Sequence, residues 1–225
     1  EETDKDFTKA YSAKSGMPDW VTALKFHGDL RGRFEGFYSE NPAFVERDRF
    51  RYRLRFGVTA NLLDDFEVGL RLSSDEASGN FGGDPISGNT TLGDNGSKKF
   101  VYLDLAYAKW SPIHTREWAG AFTLGKMENP FFSPATMMFD RDYTPEGAAA
   151  QVAYTLNDHH TFKLNGAAFV LDELSGSTSD PWMGGAQWRW DATWNPHFAT
   201  TLGVAGFVIA NPQSLVNGNV PNVNR

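Results

Sequence analysis

The chain contains no cysteine, which excludes a disulfide framework and any thiolate-held metal. It has no run of about 18 apolar residues, so it carries no transmembrane helix. Positive charge is short: 21 Lys and Arg stand against 28 Asp and Glu, a formal net charge of −7. That balance argues against nucleic acid as a partner, because phosphate binding needs accessible positive charge. Catalytic motifs are also missing: no Gly-x-Ser-x-Gly elbow, no phosphate loop and no zincin helix. The stretch "GDPISGNTTLGDNGS" lacks the residue order of a calcium loop. We therefore expect no enzyme activity, no metal and no cofactor.

What is present is aromatic and glycine-rich: 22 Gly, 18 Phe, 7 Trp and 7 Tyr. This composition favours strands and turns. A mean hydropathy of −0.44 would suit a soluble protein. It suits a transmembrane β-barrel equally, because such strands place apolar residues only at every second position. Period-two alternation begins near residue 22 and recurs in nine segments: 22–38, 47–60, 66–73, 100–110, 119–127, 148–156, 161–171, 185–194 and 199–209. In 47–58, "RDRFRYRLRFGV", arginine occupies five alternate positions, with Phe50, Tyr52, Leu54 and Phe56 between them. Strands of this length exceed the soluble mean of about 5–6 residues. A ten-residue strand rises about 33 Å, and tilted it covers the roughly 25 Å apolar band of an outer-membrane barrel. Connectors alternate between short and long, with long ones at 74–99 and 128–147. In an up-and-down sheet, alternate connectors share one rim, so one rim should carry turns and the other loops.

The opposite faces differ in kind. One is ionic, with Lys25, Asp29, Arg31, Arg33, Arg49, Arg51, Arg53, Arg55, Arg71, Asp104, Arg189 and Asp191. The other is apolar, with aromatics near strand ends as in membrane–water girdles. We expect the ionic set to line a water-filled lumen, since an arginine row in a dry core would be prohibitive unless paired. We expect the loop 128–147, with Glu128, Asp140, Arg141, Asp142 and Glu146 beside Phe131, Phe132, Met137, Met138 and Phe139, to fold inward and narrow that lumen. The loop 74–99 is second choice. An acidic loop facing an arginine wall would set a transverse field. His27, His114, His159, His160 and His197 read as solvated turn or face residues.

The segments "LKFHGDLRGRFEGFY", "ERDRFRYRLRFGV", "FTLGKMENPF" and "FDRDYTPEGAAAQVAY" resemble the putative porin family of Gram-negative outer membranes, over residues 20–209. That resemblance implies an all-β fold, a transmembrane antiparallel up-and-down β-barrel of the general-diffusion type. It implies passage of small hydrophilic solutes or ions, contact with outer-membrane lipid, and assembly as a homotrimer. Nine strands is an odd count, and an open edge is untenable in lipid. We therefore expect residues 21–225 to be the N-terminal part of a barrel of about 16–18 strands, preceded by a flexible or helical segment at 1–20. Two alternatives stand beside it. One is a soluble or surface all-β carbohydrate- or ligand-binding module with platforms at Trp188, Trp190 and Trp194. The other is a barrel serving as scaffold for a partner protein.

Overall fold

The structure is a computed structural model that describes residues 16–76, 82–86, 88–134, 139–176 and 178–215. Most of the segment read as flexible or helical (1–15) lies outside the described residues, as do Met137 and Met138. The fold is all-β. The strands are β1 (Val21–Phe37), β2 (Arg47–Leu62), β3 (Phe66–Asp75), β4 (Thr90–Thr91), β5 (Phe100–His114), β6 (Trp118–Lys126), β7 (Glu146–Asn157), β8 (His160–Val170), β9 (Trp182–Asn195) and β10 (Phe198–Ala210). They form one antiparallel sheet in the order β1-β2-β3-β5-β6-β7-β8-β9-β10, with β4 added against β2. Among the described residues, β1 and β10 are the ends of this order, so the sheet is not closed.

Each of the nine expected strands is present, and most are longer than the alternation alone indicates. The largest difference is in β5. The expected connector 111–118 is mostly strand: β5 runs on to His114 and leaves a turn of 115–117. Pro112 hid the extension, because proline normally marks a strand end. Here it sits within the register shift between Trp110 and Ile113, the irregular position where a strand tolerates proline. With this correction the connectors alternate strictly. The turns are 63–65, 115–117, 158–159 and 196–197; the loops are 38–46, 76–99, 127–145 and 171–181. The turn 63–65 works because Asp64 and Asp65 adopt left-handed φ values of 57° and 63°, a conformation that Asp tolerates better than most residues.

The second difference is β4. Residues 74–98 lack periodicity, yet Thr90 and Thr91 pair with Tyr52 and Arg51 of β2. The loop between β3 and β5 thus folds back beside β2 and extends the sheet where the β2–β3 ladder ends.

Register decides what each face carries. In β1 and β2, Asp29 lies opposite Arg55, Arg31 opposite Arg53, Arg33 opposite Arg51 and Glu35 opposite Arg49. One residue along, Leu30 meets Leu54 and Phe34 meets Phe50. The apolar face is bare over its whole width: Phe26 is 68 % exposed, Leu30 75 % and Val204 71 %. Water does not tolerate so large a continuous apolar surface on a soluble monomer. Its rim at the tight turns carries an aromatic belt in which Phe66 stacks on Trp110 at 5.8 Å, Trp118 meets Tyr154 at 4.7 Å and Trp190 meets Trp194 at 6.1 Å. Phe34, Phe50 and Trp182 mark the opposite rim. This is the distribution expected at the two membrane–water interfaces.

Candidate functional site

The polar face divides into two halves, and the loop 127–145 ties them together. On β1 to β5 the face is ionic. Glu35 pairs with Arg33 at 2.7 Å, and with Arg49 and Arg51. Asp29 takes Arg53 at 3.0 Å and Arg55 at 2.6 Å. A β-bulge between Arg71 and Leu72 of β3 and their β5 partners leaves Asp104 as the extra residue. The bulge aims its carboxylate at the Arg71 guanidinium, a common use of such irregularities.

On β6 to β10 the same face is mostly uncharged. Ala149, Phe169 and Met183 form a buried cluster with Met127 and Phe131 of the loop, and Phe207 and Phe139 pack against it. The expectation that apolar groups look only outward therefore fails on this half. The reason is the loop, which supplies a cover that lets apolar residues face inward without meeting water. Phe131 packs edge-on against Phe207 at 5.0 Å and Phe169 at 6.0 Å. Phe132 lies under the Arg189 guanidinium at 4.4 Å, a cation–π contact.

Three amides hold the loop backbone. The Phe132 N–H donates to Gln187 Oε1 at 2.7 Å, and Gln187 Nε2 donates to the Phe132 carbonyl at 2.8 Å. Asn165 Nδ2 donates to the Pro130 carbonyl at 2.9 Å, with Gln151 Nε2 at 3.5 Å from the same oxygen. Asn165 and Gln187 are buried, so their amides satisfy loop backbone groups that would otherwise be stranded. Sequence reasoning missed these residues. The available signal was a run of uncharged amides at inward positions where the first strands carry charges.

The other limb of the loop reaches the arginines. Asp142 lies 2.6 Å from Arg53, 3.2 Å from Arg55 and 3.9 Å from Arg31. The Asp142 N–H donates to Asp140 Oδ1 at 2.8 Å, which fixes the turn that presents the carboxylate. Glu128 pairs with Arg71. Lys126 Nζ donates to the Thr144 carbonyl at 2.9 Å and pairs with Glu146, the first residue of β7, at 3.1 Å. Arg141 is exposed. Beside it, burial and the Glu146 charge hold the Tyr143 phenol above its ordinary range. Asp142 therefore lies on the arginine wall rather than across a gap from it, which changes the expected transverse field into a direct clamp.

The loop between β3 and β5 joins the same face. Arg31 Nη2 donates to Asn89 Oδ1 at 2.8 Å, and Arg51 Nη2 donates to the Asn89 carbonyl at 2.6 Å. Asn89 and Thr90 are fully buried. Partial burial raises the Glu76 carboxyl, but hydrogen bonds from Thr91 and the charges of Arg51 and Arg49 outweigh it and hold the group below its ordinary value.

Of the remaining expected residues, Arg189 bonds Asp191 at 2.7 Å and Lys163 pairs with Asp191 at 2.9 Å. Lys25 is exposed on the same face, in line with Asp29, and makes no ion pair among the described residues. Trp188 and Trp194 stand on the apolar face with the leucines and phenylalanines, not on the face that holds the clefts.

The sheet curls around the loop. Phe139 contacts Phe207 of β10 at 5.5 Å, while Asp142, three residues on, contacts β2. A cleft of about 680 Å³ is lined by Arg53 and Arg55 of β2 and also by Leu215 beyond β10. The profile of a protein family described as putative porin matches residues 40–220. The chain belongs to this putative porin family. The match begins before the arginine strand β2 and ends beyond β10, so it takes in Asp142 with Arg53 and Arg55, the amide cradle and the loop between them, and leaves out β1. A porin-like function and, in general, an outer-membrane location follow from the family. No curated protein and no solved structure matches the chain.

Proposed function

We propose that this putative porin is a passive outer-membrane channel for small hydrophilic solutes. Its ionic face lines the lumen, and the loop 127–145 is the constriction. One observation carries this reading: a single loop spans the polar face from β10 to β2, held by Phe131 at one end and Asp142 at the other, while the opposite face is bare and apolar. A soluble module would need a partner over that apolar face. A barrel wall needs only lipid. Lumen water reaches the exposed Arg33, while the largely buried Arg51 and Arg53 are relieved by carboxylates and the Asn89 carbonyl instead.

The test is reconstitution of the full-length protein into liposomes and planar bilayers. Folded, heat-modifiable protein should give stepwise conductance and let small sugars and amino acids swell liposomes. Folded protein that inserts and yet gives neither would overturn the proposal.

A further inference from the structure

A second cleft, of about 500 Å³, lies between the arginine strands and the loop. Six arginines line it, against three carboxylates, an excess of three positive charges at its wall. Two of the carboxylates that balance these guanidinium groups, Glu35 and Asp104, are largely buried. Glu35 is 7 % exposed beneath an Arg33 that is 50 % exposed, and Asp104 is 14 % exposed against Arg71. Asp29 faces Arg53 and Arg55 without lining the cleft. Arg33 and Arg141 present exposed guanidinium groups at the wall, with Glu128 the most exposed carboxylate there, and a guanidinium's fork of N–H donors matches the oxygens of carboxylate and phosphate. Glu128, Asp140 and Asp142 set the limits of the cleft and oppose entry of a bulky polyanion.

We propose that this cleft is a subsite for small solutes bearing a carboxylate or phosphate group, and that the channel passes such anions in preference to cations. The inference rests on the porin reading above and adds a ligand class to it. Arg33 and Arg141 are its most informative residues. Both reach the cleft. Removing Arg33 still leaves Glu35 paired with Arg49 and Arg51, so the wall survives.

Two measurements on the full-length protein separate the two claims. The first is equilibrium binding of inorganic phosphate, and of citrate, to folded detergent-solubilised protein. The second is the reversal potential in a potassium chloride gradient across a bilayer. Wild type should bind both probes saturably and favour chloride. Arg33→Gln with Arg141→Gln should lose the binding and lower the anion preference by up to about fivefold per charge, as Coulomb's law gives for one charge at about 4 Å in water-like dielectric. Lys99→Gln, which alters an exposed pair with Asp94, should change neither. Absence of saturable binding, or equal binding by wild type and the double variant, overturns the subsite whatever the conductance. Binding that is lost in the double variant, in a protein that conducts nothing, sinks the channel and leaves the subsite standing.

Discussion

At the scale of single residues, the site is a set of charges and amides whose partners come from the loops. Asp142 contacts three arginines. Asp142→Ala should release that limb of the loop while the barrel stays heat-modifiable. Single-channel conductance should rise and become noisier, and unchanged traces would mean that Asp142 does not hold the constriction. Gln187→Ala leaves both an N–H and a carbonyl of Phe132 unmet and should cost about 1–3 kcal/mol per stranded group, read as a lower urea midpoint in liposomes. Glu76 gives the pH dependence. Its carboxyl is held below the ordinary value of 4.5, so its contribution is complete above that value and is lost as pH falls through the lowered one. Susceptibility of the loop 76–99 to pepsin, normalised at each pH to an unfolded control, should therefore increase as pH falls below 4.5. Glu76→Gln should weaken that pH dependence, the remainder belonging to the other carboxylates of this stretch, its neighbour Asp75 among them.

At the scale of elements, alternation identified the long strands because lipid on one side and charge on the other leave a clean period of two. It failed where the period carries no information. Thr90–Thr91 is too short to alternate, and β-branching was its one signal. Pro112 concealed the end of β5. Apart from Lys163, Arg189 and Asp191 near the tight turns, the inward positions of β7 to β10 carry Ala, Gly, Asn, Gln, Met and Phe, a mixture without a sign. Only the loop that covers them explains it, and the partners of Phe131 and Phe132 lie too far along the chain to be read locally. The ionic half was far more legible, since charges on adjacent strands declare one face wherever they stand. The loop's base also depends on geometry the sequence hides. Gly125 lies opposite Gly147 across β6 and β7. Gly125 has a φ of 113°, and a Cβ there would sit 2.3 Å from the Ala106 carbonyl oxygen. Gly125→Ala should strain the strand just below the loop and lower the heat-modification temperature; an unchanged temperature would show that the sheet relaxes freely at this point.

At the scale of the whole molecule, the two faces should answer differently to the same substitution. Leu30→Arg places a charge on the bare face midway along β1 and should destabilise by about 2–4 kcal/mol in a bilayer. His27→Arg, on the ionic face, should cost much less. Urea unfolding in liposomes measures both, and equal costs would contradict the assignment of faces. The span of the loop also sets an order of assembly. Phe131 and Phe139 rest on Phe207 of β10, so their seat is complete only after the β9–β10 hairpin has formed. Until then the loop is not fully seated, and the lumen beside these strands stays wide. Substitutions that slow the β9–β10 hairpin should leave a transiently leaky intermediate, visible as large early conductances that settle to smaller ones.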